Sequence, residues 1–223
     1  MRPQHIAWMI FLIPVIAVHG AYAIGWWEGV AFQCNPYIDG CTTISRAARE
    51  GNAIFFFRAL MMPLAALLVI FWYLQQKWLE RMTQKSQLHV FILGSIGALF
   101  LILYVDFLGT EGDFNRFLRR YGVIFYFGLT VLAQIFSINT LHKLGDKIDS
   151  TMRRYIYIQL TLIILCWLLG MGNLLFKEIG FSWADMMENN IEWHFALYMW
   201  LHFPFVALMW KRTQFAWQFS HRN

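Results

Sequence analysis

The chain has 223 residues, of which 59% are apolar, 18% aromatic and only 14% charged, with a net charge of +5. Soluble domains hold roughly 45–50% apolar and about 25% charged residues, so this composition excludes an ordinary water-soluble globule. The basic residues are scattered over loop ends instead of forming a patch, which leaves nucleic acid without support as a partner.

Hydropathy divides the chain into six spans, residues 6–27, 53–75, 88–108, 121–141, 155–176 and 191–210, each long enough to cross roughly 30 Å of hydrocarbon. The linkers between them are too short for a soluble unit. The expected fold is therefore all-α: one transmembrane domain over residues 1–223, built as a polytopic bundle of six helices. The first span begins like a secretory signal, with Arg2, an apolar run and the small-residue stretch Ala21-Tyr22-Ala23. Its apolar character continues through Trp26 and Trp27, so a retained first helix is the reading adopted.

The next stretch, residues 34–62, is the most informative. It holds a polar loop with Cys34 and Cys41, then Thr42-Thr43-Ile44-Ser45, then an apolar run in which Arg58 is embedded. A charge inside a lipid-facing helix is expensive and usually functional. If the loop faces an oxidising compartment, Cys34 and Cys41 are candidates for a disulfide. A metal pair is the weaker alternative because no histidine adjoins them. No metal or other cofactor is expected.

The third span carries Gly94, Gly97 and Ala98, small residues that let helices approach closely. Asp106 lies at its end, and the linker after it carries Arg116, Arg119 and Arg120. In the fourth span Gln134, Ser137 and Asn139 read as interhelical hydrogen-bonding groups. The fifth is interrupted at Gly170-Met171-Gly172-Asn173. The sixth opens with Glu192 and His194, and His194, Tyr198 and His202 share one helical face. His194 and His202 stand about 12 Å apart along that helix, too far to chelate one metal by themselves. Cys166 reads as packing.

Lys and Arg set the orientation. Arg2, Lys77, Arg81, Lys85, Lys143, Lys147, Arg153, Arg154, Lys211, Arg212 and Arg222 fall on one side. Arg46, Arg49, Arg116, Arg119, Arg120 and Lys177 fall on the other. Both termini are thus expected in the cytoplasm, with the cysteine loop outside. That topology brings His19, Arg58, Asp106, Asn173, Glu192 and His194, from five of the six helices, to one level near the outer face. Arg58 and Asp106 could equally form a structural ion pair, and Glu192 could be an acid favoured by the helix dipole.

The motifs resemble the FRAG–DRAM–SFK family of six-span membrane proteins, which includes GPI-anchor lipid-remodelling factors and DRAM autophagy modulators. The family's loop before its second helix runs Pro-Thr-Ile-Ser-Asp, then Pro-Pro-Glu, then an apolar Phe-Arg. Thr43, Ile44 and Ser45 match the first part, and Phe57-Arg58 the last. Thr42 replaces the proline, Arg46 the aspartate, and Asn52-Ala53 the end of the Pro-Pro-Glu. Arg119-Arg120-Tyr121-Gly122-Val123, continuing to Gln134 and Ser137, is similar to the family's fourth helix, with Arg119 where the family has histidine. Glu192-Trp193 is similar to the opening of its sixth.

The resemblance implies a lipid-remodelling or lipid-interacting protein with membrane lipids, and a membrane protein, as partners. Residues and resemblance together point to a polar site for an anion or lipid headgroup at the outer leaflet. Its candidates are Ser45, Arg58, Asp106, Arg116, Arg119, Glu192 and His194, with Arg58 as the anion holder. Alternatives are a membrane-embedded hydrolase or acyltransferase acting on a lipid, using His19, Asp106, Glu192 and His194, and a small-solute transporter. A binding role is favoured over a catalytic one. The absence of glycosylation sequons suits a bacterial inner membrane, and the plasma membrane is the expected location in general.

Overall fold

A computed structural model describes residues 2–179 and 183–216, without the side chains of Asp146, Asn173, Leu174 and residues 176–179. Among these residues the regular structure is entirely helical: α1 (Pro3–Trp27), the short α2 (Ile44–Ala47), α3 (Ala53–Thr83), α4 (Leu88–Asp106), α5 (Asp113–His142), α6 (Ser150–Ile179) and α7 (Ala184–Arg212). A single 3-10 turn, Gly145–Lys147, links α5 to α6. Five of the helices, α1 and α3 to α6, are long and apolar enough to cross a membrane. α7 is as long but less apolar, because tryptophan, histidine and asparagine take up much of it.

The apolar surface left outside the bundle agrees with a membrane setting. Leu12 and Ile16 on α1, and Ile164, Trp167, Leu168 and Met171 on α6, are all exposed. A contiguous surface of this kind needs lipid or a protein partner to cover it. Pro14, Pro63 and Pro204 sit inside α1, α3 and α7, a placement that membrane helices tolerate better than soluble ones.

The six long helices alternate in direction, as cross-links at their ends show. At one end Trp78 of α3 donates its indole N–H to Thr213 just past α7, at 2.9 Å, and Thr140 of α5 bonds Gln87 at the start of α4. Arg212 closes on Asp149 there at 2.6 Å, and this contact, with the Met152 N–H, holds the Asp149 carboxyl below its usual range. At the other end, the loop after α1 is fastened to the start of α7. Around the bundle α3, α4 and α5 pack in order, and α6, α7 and α1 do the same before α1 closes back on α3. The seam between α5 and α6 is the loosest of these neighbour contacts.

Small residues set the tightest crossings. A Cβ on Gly94 would strike the Trp72 ring at 2.3 Å, and one on Gly122 would stand 2.7 Å from the Tyr104 backbone nitrogen. Gly97 lies against Thr130, so the close approach expected of the third span's small residues is present. Gln134 donates to the Met199 carbonyl across α5 and α7 at 2.9 Å, as a helix-bridging group should. Ser137 is buried without a protein partner, and Asn139 is exposed.

Most of the helices overrun the apolar spans read from the sequence, α3, α5 and α7 furthest at a single end. α3 continues to Thr83 and stops where Gln84 takes a left-handed φ of 56°. α5 begins at Asp113, so Arg116, Arg119 and Arg120 stand on a helix, not in a linker. The reason is physical. Helical backbone hydrogen bonds are satisfied internally in water and lipid alike, so the end of the hydrocarbon need not end the helix. Asp113 in the first turn of α5 also complements the helix dipole.

Candidate functional site

The end of the bundle that carries the cysteine loop holds every candidate residue, and the geometry sorts them into separate groups. Cys34 and Cys41 are joined as a disulfide, with Cα atoms 6.6 Å apart, closing a short loop. Tyr22 gathers that loop from α1: its hydroxyl donates towards the carbonyls of Phe32 and Cys34, and it accepts the Cys34 N–H.

The first turns of α7 grip the other half of the loop. Asn189 donates to the Gly40 carbonyl at 2.7 Å, Asn190 to Ile38 at 3.1 Å, and the Trp193 indole to Thr42 at 2.9 Å. Glu192 accepts the Ser45 N–H at 3.4 Å, so its carboxylate faces the start of α2, where Thr43 caps the helix through Arg46 N–H. Ser45 and Glu192, far apart in sequence, are thus neighbours.

Trp193 is the centre of an aromatic cluster with His19, Tyr22 and Tyr37. His19 donates Nδ1–H to the Val15 carbonyl, which leaves Nε2 to accept the Tyr37 hydroxyl at 3.0 Å. Burial pushes the Tyr37 phenol up from its ordinary range. His194 bonds the Asn190 carbonyl at 3.0 Å and packs edge-on to Tyr37. Both histidines therefore have bonds that orient them within the cluster. Among the described residues, no three His, Cys, Asp or Glu side chains converge to hold a metal ion.

Arg58 is occupied differently from the sequence expectation. Its Nε donates to the Val105 carbonyl at 3.2 Å, and one terminal nitrogen donates to the carbonyls of Asp106 and Leu108 at 2.7 and 2.8 Å. The last carbonyls of a helix have no partner within it, and the planar guanidinium fork suits several oxygens at once. Arg58 thus caps the C-terminus of α4. It meets Asp106 through the main-chain oxygen, while the Asp106 residue is exposed. Asn173, the remaining residue of the expected cluster, has its side chain outside the described residues.

Arg116 and Arg119 lie three residues apart on one face of α5 and line an open cavity of about 540 Å³. Arg49, Glu50, Thr110 and Glu111 add polar groups to its lining, which Gly109 and Gly112 complete. Three guanidiniums outnumber two carboxylates, and Arg49 engages Glu50 only loosely, at 3.7 Å. A second cavity of about 310 Å³ lies beside it, lined by Ser45, Glu188 and Glu192 together with apolar residues of α5 and α7. Buried Tyr104 lies beside Ser45 and within electrostatic reach of both Glu192 and Arg119.

Arg49, Thr110, Tyr37 and Glu188 escaped the sequence reading. Arg49 lies four residues beyond Ser45 and could have been flagged by that proximity. Nothing in the sequence distinguishes Tyr37 from the other interfacial aromatics. No family model, no curated protein and no solved structure matches the chain.

Proposed function

We propose that this chain is a lipid-interacting protein of the plasma membrane, a bacterial inner membrane in a prokaryote, that holds an anionic lipid headgroup at its outer face. In this reading it spans the membrane six times, with both termini in the cytoplasm, and belongs with the FRAG–DRAM–SFK group that its loop and helix motifs resemble. The observation that carries the proposal is the arginine-lined cavity at the cysteine-loop end. Arg116 and Arg119 sit on a rigid helix, Arg49 faces them, and Thr110 adds a hydroxyl. Guanidinium groups recognise phosphate through paired, charge-assisted hydrogen bonds, and the proposed topology would put the cavity mouth at headgroup level. Arg58 supports this site by fixing the end of α4, from which the lining segment Gly109–Gly112 departs.

The test is lipid retention by purified protein, read by native mass spectrometry with short-chain phosphatidylglycerol as one probe and inorganic phosphate as the other. Retention by the lipid but not the free anion supports a headgroup site. Binding of phosphate alone would make it a solute site. The R116Q/R119Q double variant should weaken binding about tenfold or more, the loss expected for one charge-assisted hydrogen bond. Undiminished lipid retention in that variant would remove the proposal's basis.

A further inference from the structure

The loosest seam of the bundle contains a second feature that the arginine cavity does not explain. Between α5, α6 and α7 runs an apolar crevice of about 610 Å³. Its α5 wall is a single helical stripe, Ile124, Phe127, Gly128, Val131, Leu132 and Ile135. The upper part of that stripe, Ile124 and Phe127, together with Phe195 of α7, also lines the cavity that contains Ser45, Glu188 and Glu192. The two spaces therefore share walls. Glu188, Ile191, Glu192 and Phe195 fall at i, i+3, i+4 and i+7 on α7, so one helical face runs from acid to aromatic and into the crevice.

Two glycines create the space. Gly128 on α5 and Gly170 on α6 both line it, and a Cβ on either would meet no atom within 4 Å. The outer rim is accessible from the side: Ile124 is 51% exposed and Trp167 59%. From Ile124 to Ile135 the stripe descends about 16 Å along α5, roughly half of a 30 Å hydrocarbon core. It is one leaflet deep and begins at a polar pocket.

The geometry points to a second lipid site, in which one acyl chain of a phospholipid occupies this crevice and its ammonium headgroup reaches Glu192. The length and open side fit a tail entering from its own leaflet. The polar end presents the carboxylates of Glu188 and Glu192 and the Ser45 hydroxyl. Arg46 on the neighbouring α2 does not line the pocket. Carboxylates accept from an ammonium group with N–H donors. They gain less from a fully methylated one, and they repel a headgroup with net negative charge. Phosphatidylethanolamine chemistry fits best. This site is separate from the arginine cavity and does not depend on it.

Full-length protein in phosphatidylcholine nanodiscs, doped with phosphatidylethanolamine bearing a diazirine in its tail, provides the test. After illumination, peptide mapping should place label on α5 between Ile124 and Ile135 and on α6 near Trp167, above the level seen at the exposed α1 residue Ile16. Unlabelled phosphatidylethanolamine should compete about tenfold better than phosphatidylcholine or phosphatidylglycerol, the ratio that one charge-assisted hydrogen bond gives. E192Q should abolish that preference while keeping an acceptor for Ser45. G128L/G170L places its Cβ atoms where nothing lies within 4 Å, fills the crevice, and should lose the label while melting no lower than wild type. Label no stronger at the crevice than at Ile16, equal competition by all three headgroups, or full labelling of G128L/G170L would each overturn the proposal. R116Q/R119Q should leave crevice labelling unchanged, so failure of either site can be told from failure of the other.

Discussion

Arg58 shows how much of a site a sequence can reveal at the scale of one residue. A charge within an apolar run marks it at once as expensive, and the structure does give it an exacting role. Its partners are the main-chain oxygens of Val105, Asp106 and Leu108, and these could not be read in advance. A backbone carbonyl has no side-chain identity, so nothing in the letters at those positions announces that they accept. Asp106 was legible as a neighbour, and its carboxylate as a natural partner, but the oxygen in use belongs to the peptide. Replacing Arg58 by glutamine leaves these part-buried and exposed carbonyls short of donors and should destabilise the protein by about 1.5–3 kcal/mol, the range for a hydrogen bond with a charged partner. Lysine, a point charge on a flexible stem, should recover about half of that. Denaturant titration in detergent decides it. A glutamine variant as stable as wild type would mean that the cap is dispensable.

At the scale of the element, hydropathy located the apolar parts of the helices and missed their ends. The periodicity of apolar residues reports where lipid or core must be met, whereas a helix stops only when capping or backbone geometry stops it. Residues 113–120 are polar enough to read as linker, yet they form the first two turns of α5. This conversion is what aligns Arg116 with Arg119. Glycine spacing was only half legible for a related reason. Gly94 and Gly97 were readable as contact residues, but a glycine that meets a neighbour looks the same in sequence as one that borders a void. Gly122 and Gly128 make the contrast on one helix. A methyl group at Gly122 would press on the Tyr104 backbone at 2.7 Å, and one at Gly128 would meet nothing. Gly122→Ala should therefore cost about 1–3 kcal/mol by overpacking the α4–α5 crossing. Gly128→Ala should be neutral or stabilise by up to about 1 kcal/mol through helix propensity. Parallel unfolding curves for the pair provide the check, and equal effects would refute the assigned environments.

At the scale of the whole molecule, six alternating long helices bring the start of α1 at Pro3 and the end of α7 at Arg212 to the same end of the bundle, opposite the disulfide loop. The fold fixes this relation, and in the proposed topology the charge bias selects which end faces the cytoplasm. That choice has a chemical consequence. The Cys34–Cys41 bridge persists in an oxidising compartment and would be reduced in a glutathione-buffered one, so disulfide and charge bias favour the same orientation for independent reasons. Cys166 is buried as a free thiol, which leaves a clean background for labelling. Glu111 at the disulfide end and Lys85 at the opposite end are both exposed. In intact cells a membrane-impermeant maleimide should label E111C, whereas K85C should react only after the membrane is opened. The reverse pattern would place the arginine cavity in the cytoplasm and expose the bridge to reduction. Labelling of both positions in intact cells would contradict the membrane-spanning arrangement itself, since one bundle end must stay shielded if α1 and α3 to α7 cross the bilayer together.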